Sequence, residues 1–173
     1  MKLAYVTVPG RGKIDDLIAE AVRAFEADGV RLAGTVRAGS VGALAHPCDM
    51  ELRVLPDGPR FRISQPLGTG AKGCRLDEST IVAIGAAVEP RLGNADLLVV
   101  NKFGKLEARG RGLYTAIAAA IEMEIPTLVG VTQMSLPDFN MFSGGMAVPL
   151  APELHAVRDW FESVERPRAL DMI

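Results

Sequence analysis

Four consecutive apolar residues, Leu97-Leu98-Val99-Val100, leave no face for water if they form a strand. Successive strand side chains point to opposite sides, so such a run must be covered on both. Leu3–Val8, closed by Pro9 and Gly10, and Pro126–Val131 are similar short runs, and Val30–Arg37 reads as a further strand. Segments of helical period lie between them. Ile14, Leu17, Ile18, Ala21, Val22 and Phe25 form one apolar stripe, with Gly29 as a helix stop. Asp77 is placed to cap a helix from Glu78 to Leu92, with Ile81, Ile84 and Val88 on one face and Gly93 and Asn94 at its end. Leu113–Met123 reads as helix. A last helix starting near Pro152 carries Leu154, Val157, Trp160 and Phe161. Strand and helix alternate, which predicts an α/β fold with a doubly wound, mostly parallel sheet. Met50–Leu55 and Arg60–Ser64 flank Pro56-Asp57-Gly58-Pro59 and predict an inserted β-hairpin. Lys102–Gly112 and Thr132–Gly145 read as loops, and Met146–Leu150 as a short strand.

A chain of 173 residues can bury a sizeable core. The expectation is one domain over residues 1–164 and a tail over 165–173. The net charge of −2 gives no general attraction to nucleic acid or to an anionic membrane surface. No apolar run approaches the roughly 20 residues of a membrane span, and the first residues lack the pattern of a signal peptide. Two cysteines, Cys48 and Cys74, are too few for a disulfide framework or a zinc site. These features point to a cytoplasmic protein with a small anionic ligand as its candidate partner, and they allow a homo-oligomer.

Four segments carry candidate chemistry. Thr7-Val8-Pro9-Gly10-Arg11-Gly12-Lys13-Ile14 joins a predicted strand to a predicted helix. Backbone N–H groups at a helix start attract anions, glycine allows close approach, and lysine reaches outer phosphate oxygens. Gly12 and Lys13 occupy the Gly-Lys positions of a phosphate loop. Thr7 stands where its first glycine belongs, and Ile14 where its magnesium-binding hydroxyl belongs. An ordinary strand-to-helix turn is the competing reading. The second segment follows Asp96–Val100 with Asn101 and Lys102, where an acidic magnesium ligand and a water-activating residue would stand in a hydrolase; on pattern alone it reads as a buried strand ending in a solvated basic loop. The third, Gln65–Asp77, brings Gly70, Lys72, Gly73 and Arg75 ahead of a helix and is a candidate oxyanion site, with a surface loop as its alternative. The fourth is the basic cluster Lys102, Lys105, Arg109 and Arg111. A solvated loop is its competing reading, but in a parallel sheet it would leave the carboxyl edge that Lys13 also faces. Cys74 reads as a buried filler, and His46 and His155 as structural or exposed. Phe139, Met141 and Phe142 read as core, with an apolar lid or an oligomer contact as the alternatives.

Pro9-Gly10-Arg11-Gly12-Lys13 resembles the Pro-Gly-x-Gly-Lys loop of the nucleoside-triphosphatase family typified by small thermophile P-loop enzymes. Val99–Glu107 resembles that family's strand ending in an acidic pair followed by Gly-Lys-Met-Glu. Gln65–Asp77, Val100–Gly112 and Gly144-Gly145 resemble, more closely, a bacterial family of unknown function in the same superfamily, often encoded beside molybdate transport genes. The resemblance implies a P-loop NTPase-like fold and a link to molybdate physiology. Ile14, Asn101 and Lys102 depart from the hydrolytic pattern, so the expectation is a nucleotide- or oxyanion-binding protein with little or no hydrolysis and no tightly held magnesium. The expected ligand contacts are Gly10, Arg11, Gly12, Lys13, Gly70, Lys72, Gly73, Arg75, Asn101, Lys102 and Lys105. Two alternatives stand beside it. One is an active nucleoside triphosphatase that places magnesium through Asp49, Glu51 or Asp77. The other is a noncatalytic regulatory or assembly partner.

Overall fold

The computed structural model describes residues 1–38, 50–65 and 75–165. Nine strands and six α-helices follow in chain order among these residues. β1 (Leu3–Val6) leads to α1 (Lys13–Ala27), β2 (Leu32–Arg37), and the hairpin strands β3 (Glu51–Leu55) and β4 (Arg60–Arg62). β5 (Ser64–Gln65) and β6 (Arg75–Leu76) precede α2 (Glu78–Val88) and a 3-10 helix over Glu89–Asn94. Then come β7 (Leu97–Phe103), α3 (Lys105–Ala108), α4 (Tyr114–Glu122), β8 (Thr127–Val131), α5 (Leu136–Ser143), β9 (Val148–Leu150) and α6 (Leu154–Val164).

The main sheet has the order β4-β3-β2-β7-β8-β1-β9. β2, β7, β8, β1 and β9 are mutually parallel, and the hairpin adds two antiparallel strands at one edge. All four residues of the Leu97–Val100 run are fully buried. Leu97 and Val99 face the layer built by α1 and α6, whereas Leu98, Val100 and Phe103 face the layer built by α2 and α4. The apolar stripe of α1 is buried as its spacing requires, and Phe25 meets Phe161 of α6 edge-on at 5.0 Å between ring centres. Helices on both faces make this a doubly wound sheet whose strand ends after β1, β2, β7 and β8 share one edge.

Several boundaries differ from the sequence reading. α2 stops at Val88, and a 3-10 turn replaces the rest, because Pro90 has no N–H to give to an α-helical bond. Asp77 caps α2 as expected, its carboxylate accepting from the Thr80 backbone N–H at 3.2 Å. Strand β7 runs past Asn101 to Phe103, and α3 occupies part of the expected loop. Likewise α5 lies inside Thr132–Gly145, with Pro137 in its first turn and Gly144 ending it at φ 61°. Leu136, Phe139 and Phe142 recur every third residue there and pack inward, but Met141 is 84% exposed and is not core. The segment Arg60–Ser64 divides, since Ser64 leaves β3 to pair with Leu76. The last helix begins at Leu154 instead of Pro152. His155 is exposed beside Glu153, as expected. Asp49, His46, Cys48, Cys74 and the tail from residue 166 lie outside the described residues.

The contact of β2 with β7 depends on Gly34. It adopts φ +118°, and a Cβ placed there would stand 1.8 Å from the Val99 carbonyl oxygen. No side chain fits without moving one strand. Gly34→Ala is therefore expected to cost roughly 3 kcal/mol or more, from backbone strain and overpacking together. Urea unfolding checks this, and a loss under about 0.5 kcal/mol would show that the strands separate easily.

Candidate functional site

The loop after β1 is shaped by its glycines. Gly10 at φ +103° and Gly12 at φ +76° take conformations that L side chains rarely adopt. Gly12 is the N-cap of α1 and offers no side-chain cap, so the first N–H groups of the helix have no side-chain acceptor from the cap. The Lys13 N–H turns back to the Gly10 carbonyl at 3.4 Å. The Lys13 stem folds against Gly10, with Cγ 3.1 Å from where a Cβ would stand. Lys13 and Arg11 are exposed. Ile14 is 3% exposed and belongs to the core beneath α1. Gly130 of β8 makes room for it: a Cβ at that position would come 2.6 Å from Ile14 Cγ2 and 2.2 Å from the Asn101 carbonyl oxygen.

In its first turn α1 buries a carboxylate. Asp15 is 2% exposed. Its Oδ1 accepts from Asn101 Nδ2 at 2.8 Å, and its Oδ2 accepts from Arg37 Nη1 and Lys102 Nζ, each at 3.2 Å. A buried charge needs such partners, because removing one leaves the rest uncompensated at a cost of about 3–5 kcal/mol. The cluster ties α1 to the ends of β2 and β7. Two cations against one carboxylate leave it positively charged beside Lys13. Arg37 Nη1 also lies 3.7 Å from the Cβ position at Gly12, directly against the loop. Among the described residues, Thr7 Oγ1, Arg37 Nε and Asn101 Oδ1 around this edge are buried without a hydrogen-bond partner.

Asn101 and Lys102 also line a cavity of about 430 Å³ on the far side of the sheet from α1. Its walls are mainly aliphatic, from Leu52 and Ile63 of the hairpin side, Ile81 and Ile84 of α2, and Leu113. Lys105 and Glu107 of α3 and Thr35 of β2 add polar groups. The Thr35 hydroxyl accepts from the Asn101 backbone N–H at 3.1 Å, which fixes the strand end between loop and cavity. Burial raises the Glu107 carboxyl from an ordinary 4.5 to about 7, against the lowering effect of its own N–H and that of Gly104.

The structure thus brings Gly10, Arg11, Gly12, Lys13, Asn101, Lys102 and Lys105 to one edge of the sheet. Arg75 lies in β6, while Gly70, Lys72 and Gly73 lie outside the described residues. Asp15, Arg37, Thr35 and Glu107 were not expected at the site. Asp15 left a sequence signal: it falls three and seven residues before Ile18 and Val22, a charge on the apolar stripe. Arg37 left none beyond its place at the end of a predicted strand. Of the alternative magnesium ligands, Asp77 is engaged in capping α2 and Glu51 begins β3. Among the described residues, no group of three or more His, Cys, Asp or Glu is placed to hold a metal ion.

Glu107 makes stability depend on pH. The unfolded carboxyl ionises near 4.5 and the folded one near 7. Between those values the unfolded chain gives up a proton that the folded chain keeps, so stability falls as pH rises and levels off above about 7. The loss is roughly 3 kcal/mol. Glu107→Gln should match the wild type near pH 4.5 and exceed it by up to about that amount near pH 8, by urea unfolding. A wild-type–variant difference that is constant across this range would exonerate the carboxyl.

Comparison with known proteins agrees with this architecture. A human cancer-related nucleoside triphosphatase, solved in solution, superposes with a TM-score of 0.63 over 97% of this chain and 100% of its own, at 18% identity. A likeness at that identity concerns the fold, which is P-loop NTPase-like. The molybdenum import ATP-binding protein ModC 2 of Bradyrhizobium diazoefficiens (strain JCM 10833 / BCRC 13528 / IAM 13628 / NBRC 14792 / USDA 110) is 30% identical over 161 residues, 92% of this chain. The chain spans 18% of that protein's length. Residues 3–160 match the family described as protein of unknown function DUF2478, and the chain belongs to that family.

Proposed function

We propose that the chain binds a nucleotide or a small oxyanion at Gly10–Lys13 and hydrolyses it slowly or not at all. The state of Asp15 carries this reading. Both of its carboxylate oxygens are engaged, by Asn101, Arg37 and Lys102, so the acid nearest the loop is not free to hold a metal. Ile14 is turned into the core, and Asn101 directs its amide nitrogen at Asp15. This donor set does not fit magnesium, a hard cation that needs oxygen ligands in octahedral array. Phosphoryl transfer in P-loop enzymes relies on that ion for charge neutralisation at the transition state. Here Arg37, Lys102 and Lys13 supply positive charge to a bound anion in its place. Lys105, and beyond the described residues Lys72, are further candidates. The name of the ModC 2 relative supports a cytoplasmic role beside molybdate import, in which the ligand would be molybdate itself or the nucleotide that drives its transport.

Calorimetry with ATP, GTP, molybdate, tungstate and phosphate tests the site. At least one ligand should bind, with an affinity that changes less than about twofold between magnesium and chelator. Lys13→Ala should weaken it by about tenfold or more, the value of a hydrogen bond to a charged group. Turnover should stay well below the ~1 s⁻¹ of competent enzymes. Turnover at that rate, abolished by Lys13→Ala, would overturn the reading in favour of a triphosphatase. An affinity unaffected by Lys13→Ala would remove the loop from the site.

A further inference from the structure

The two helical layers differ in what they show to solvent. α1 and α6 turn Asp16, Glu20, Arg23, Asp159 and Glu162 outward, as surface helices do. The opposite layer does not. The exposed positions inside α2 are Ser79, Val82, Ala83 and Ala86, and no charge falls between Glu78 and Glu89. None falls between Arg111 and Glu122 either, a stretch that holds nearly all of α4. On α5, Met141 is 84% exposed, and Met134 just before that helix is 87% exposed. α4 is the middle of this layer. α2 packs along it, and its Tyr114 meets Phe142 of α5 edge-on at 5.5 Å between ring centres. Helices that are apolar on their outer side are ordinarily covered, and apolar surface continuous across neighbouring elements marks an interaction site.

The charges that border α4 indicate what covers it. Arg111 precedes its first turn, and Glu122 is its last residue. A lone helix favours the reverse, an acid at its start and a cation at its end. Arg111 lines a groove of about 380 Å³ between α2 and α4, together with Val82, Ala86 and Thr115. Ala118 and Glu122 continue that line at helical spacing. The outer stripe of α4 thus runs from a cation through Thr115 and Ala118 to an acid. Turned end for end, the stripe complements itself: the acid of one copy meets the cation of the other, and two small residues let the backbones approach. A twofold axis performs that operation. The edges of the main sheet are poorer routes to association. β9 carries Pro149, which has no N–H to give, and β4 exposes Arg60 and Arg62.

We propose that the outer face of α2, α4 and α5 docks a second copy of this chain, with the two α4 helices antiparallel about a twofold axis. The contact does not depend on what the Gly10–Lys13 loop binds, because that loop leads into the opposite layer.

Sedimentation of the full chain from about 1 µM to about 1 mM tests this, since interfaces of modest size assemble within that range. The mass should rise from that of one chain toward that of two. Ala118→Glu sets like charges against each other near the axis. It should weaken the dimer about tenfold or more and leave the urea midpoint of the dilute monomer unchanged. Arg111→Glu and Glu122→Arg should each weaken it by about tenfold, and an equal mixture of these two variants should recover most of the wild-type affinity. Arg111 also faces Glu78 of its own chain at 3.5 Å. The mixture leaves that contact broken in one chain, so recovery reports the contact between chains. A monomer mass at every concentration would overturn the proposal and leave the face to a different protein. So would a dimer indifferent to Ala118→Glu, or a mixture that associates no better than either variant alone.

Discussion

A single buried carboxylate organises the functional edge of this fold. Asp15 is almost wholly removed from water, and a charge so placed persists only if its surroundings compensate it. Arg37 arrives from the end of β2, and Asn101 and Lys102 from the end of β7, so one side chain fixes two strand termini against the first turn of α1. The Gly10–Lys13 loop is thereby held from below. Its electrostatics follow from the same contacts: the carboxylate lowers the local charge without cancelling it, and the guanidinium stays pressed against Gly12.

The sheet permits this because glycines stand where a side chain would meet a neighbouring strand or helix. Gly34 lets β2 meet the backbone of β7 near Val99, and Gly130 lets β8 admit Ile14 beside Asn101. In both cases the missing Cβ makes room for a neighbouring group. The Thr35 hydroxyl can then reach the Asn101 N–H, and Ile14 can turn inward. Loop and core are joined here, because Ile14, next to Lys13 at the loop's end, is also a core residue.

Much of this was legible in the sequence, for identifiable reasons. The apolar runs of β1, β7 and β8 state their two-sided burial outright, and the stripe of α1 states its single buried face. The loop was legible through Gly10, Gly12 and Lys13, whose order along the chain is their order in space. α3 and α5 were missed because glycine, proline and charge at their ends masked short helical patterns. The Asp15 cluster was missed because its partners lie 22, 86 and 87 residues away, and no local period reports which strand ends will meet. The cavity was missed for the same reason, since its walls come from the hairpin side, two helices and β7.

The geometry around Asp15 also bears on how such a site changes over time. A magnesium-dependent loop would need a hydroxyl at position 14 and an acid at position 101. Exchanging Asn101 for an acid alone would set two buried carboxylates within hydrogen-bond distance of each other, where like charges cannot both ionise. Exchanging Ile14 alone would put a hydroxyl where the core expects a methyl group against Gly130. Arg37 and Lys102 share Asp15 as their counter-charge, so recruiting that carboxylate elsewhere would leave them without it. The Asp15 contacts therefore couple positions 14, 37, 101 and 102, so that an exchange at one of them is felt at the others.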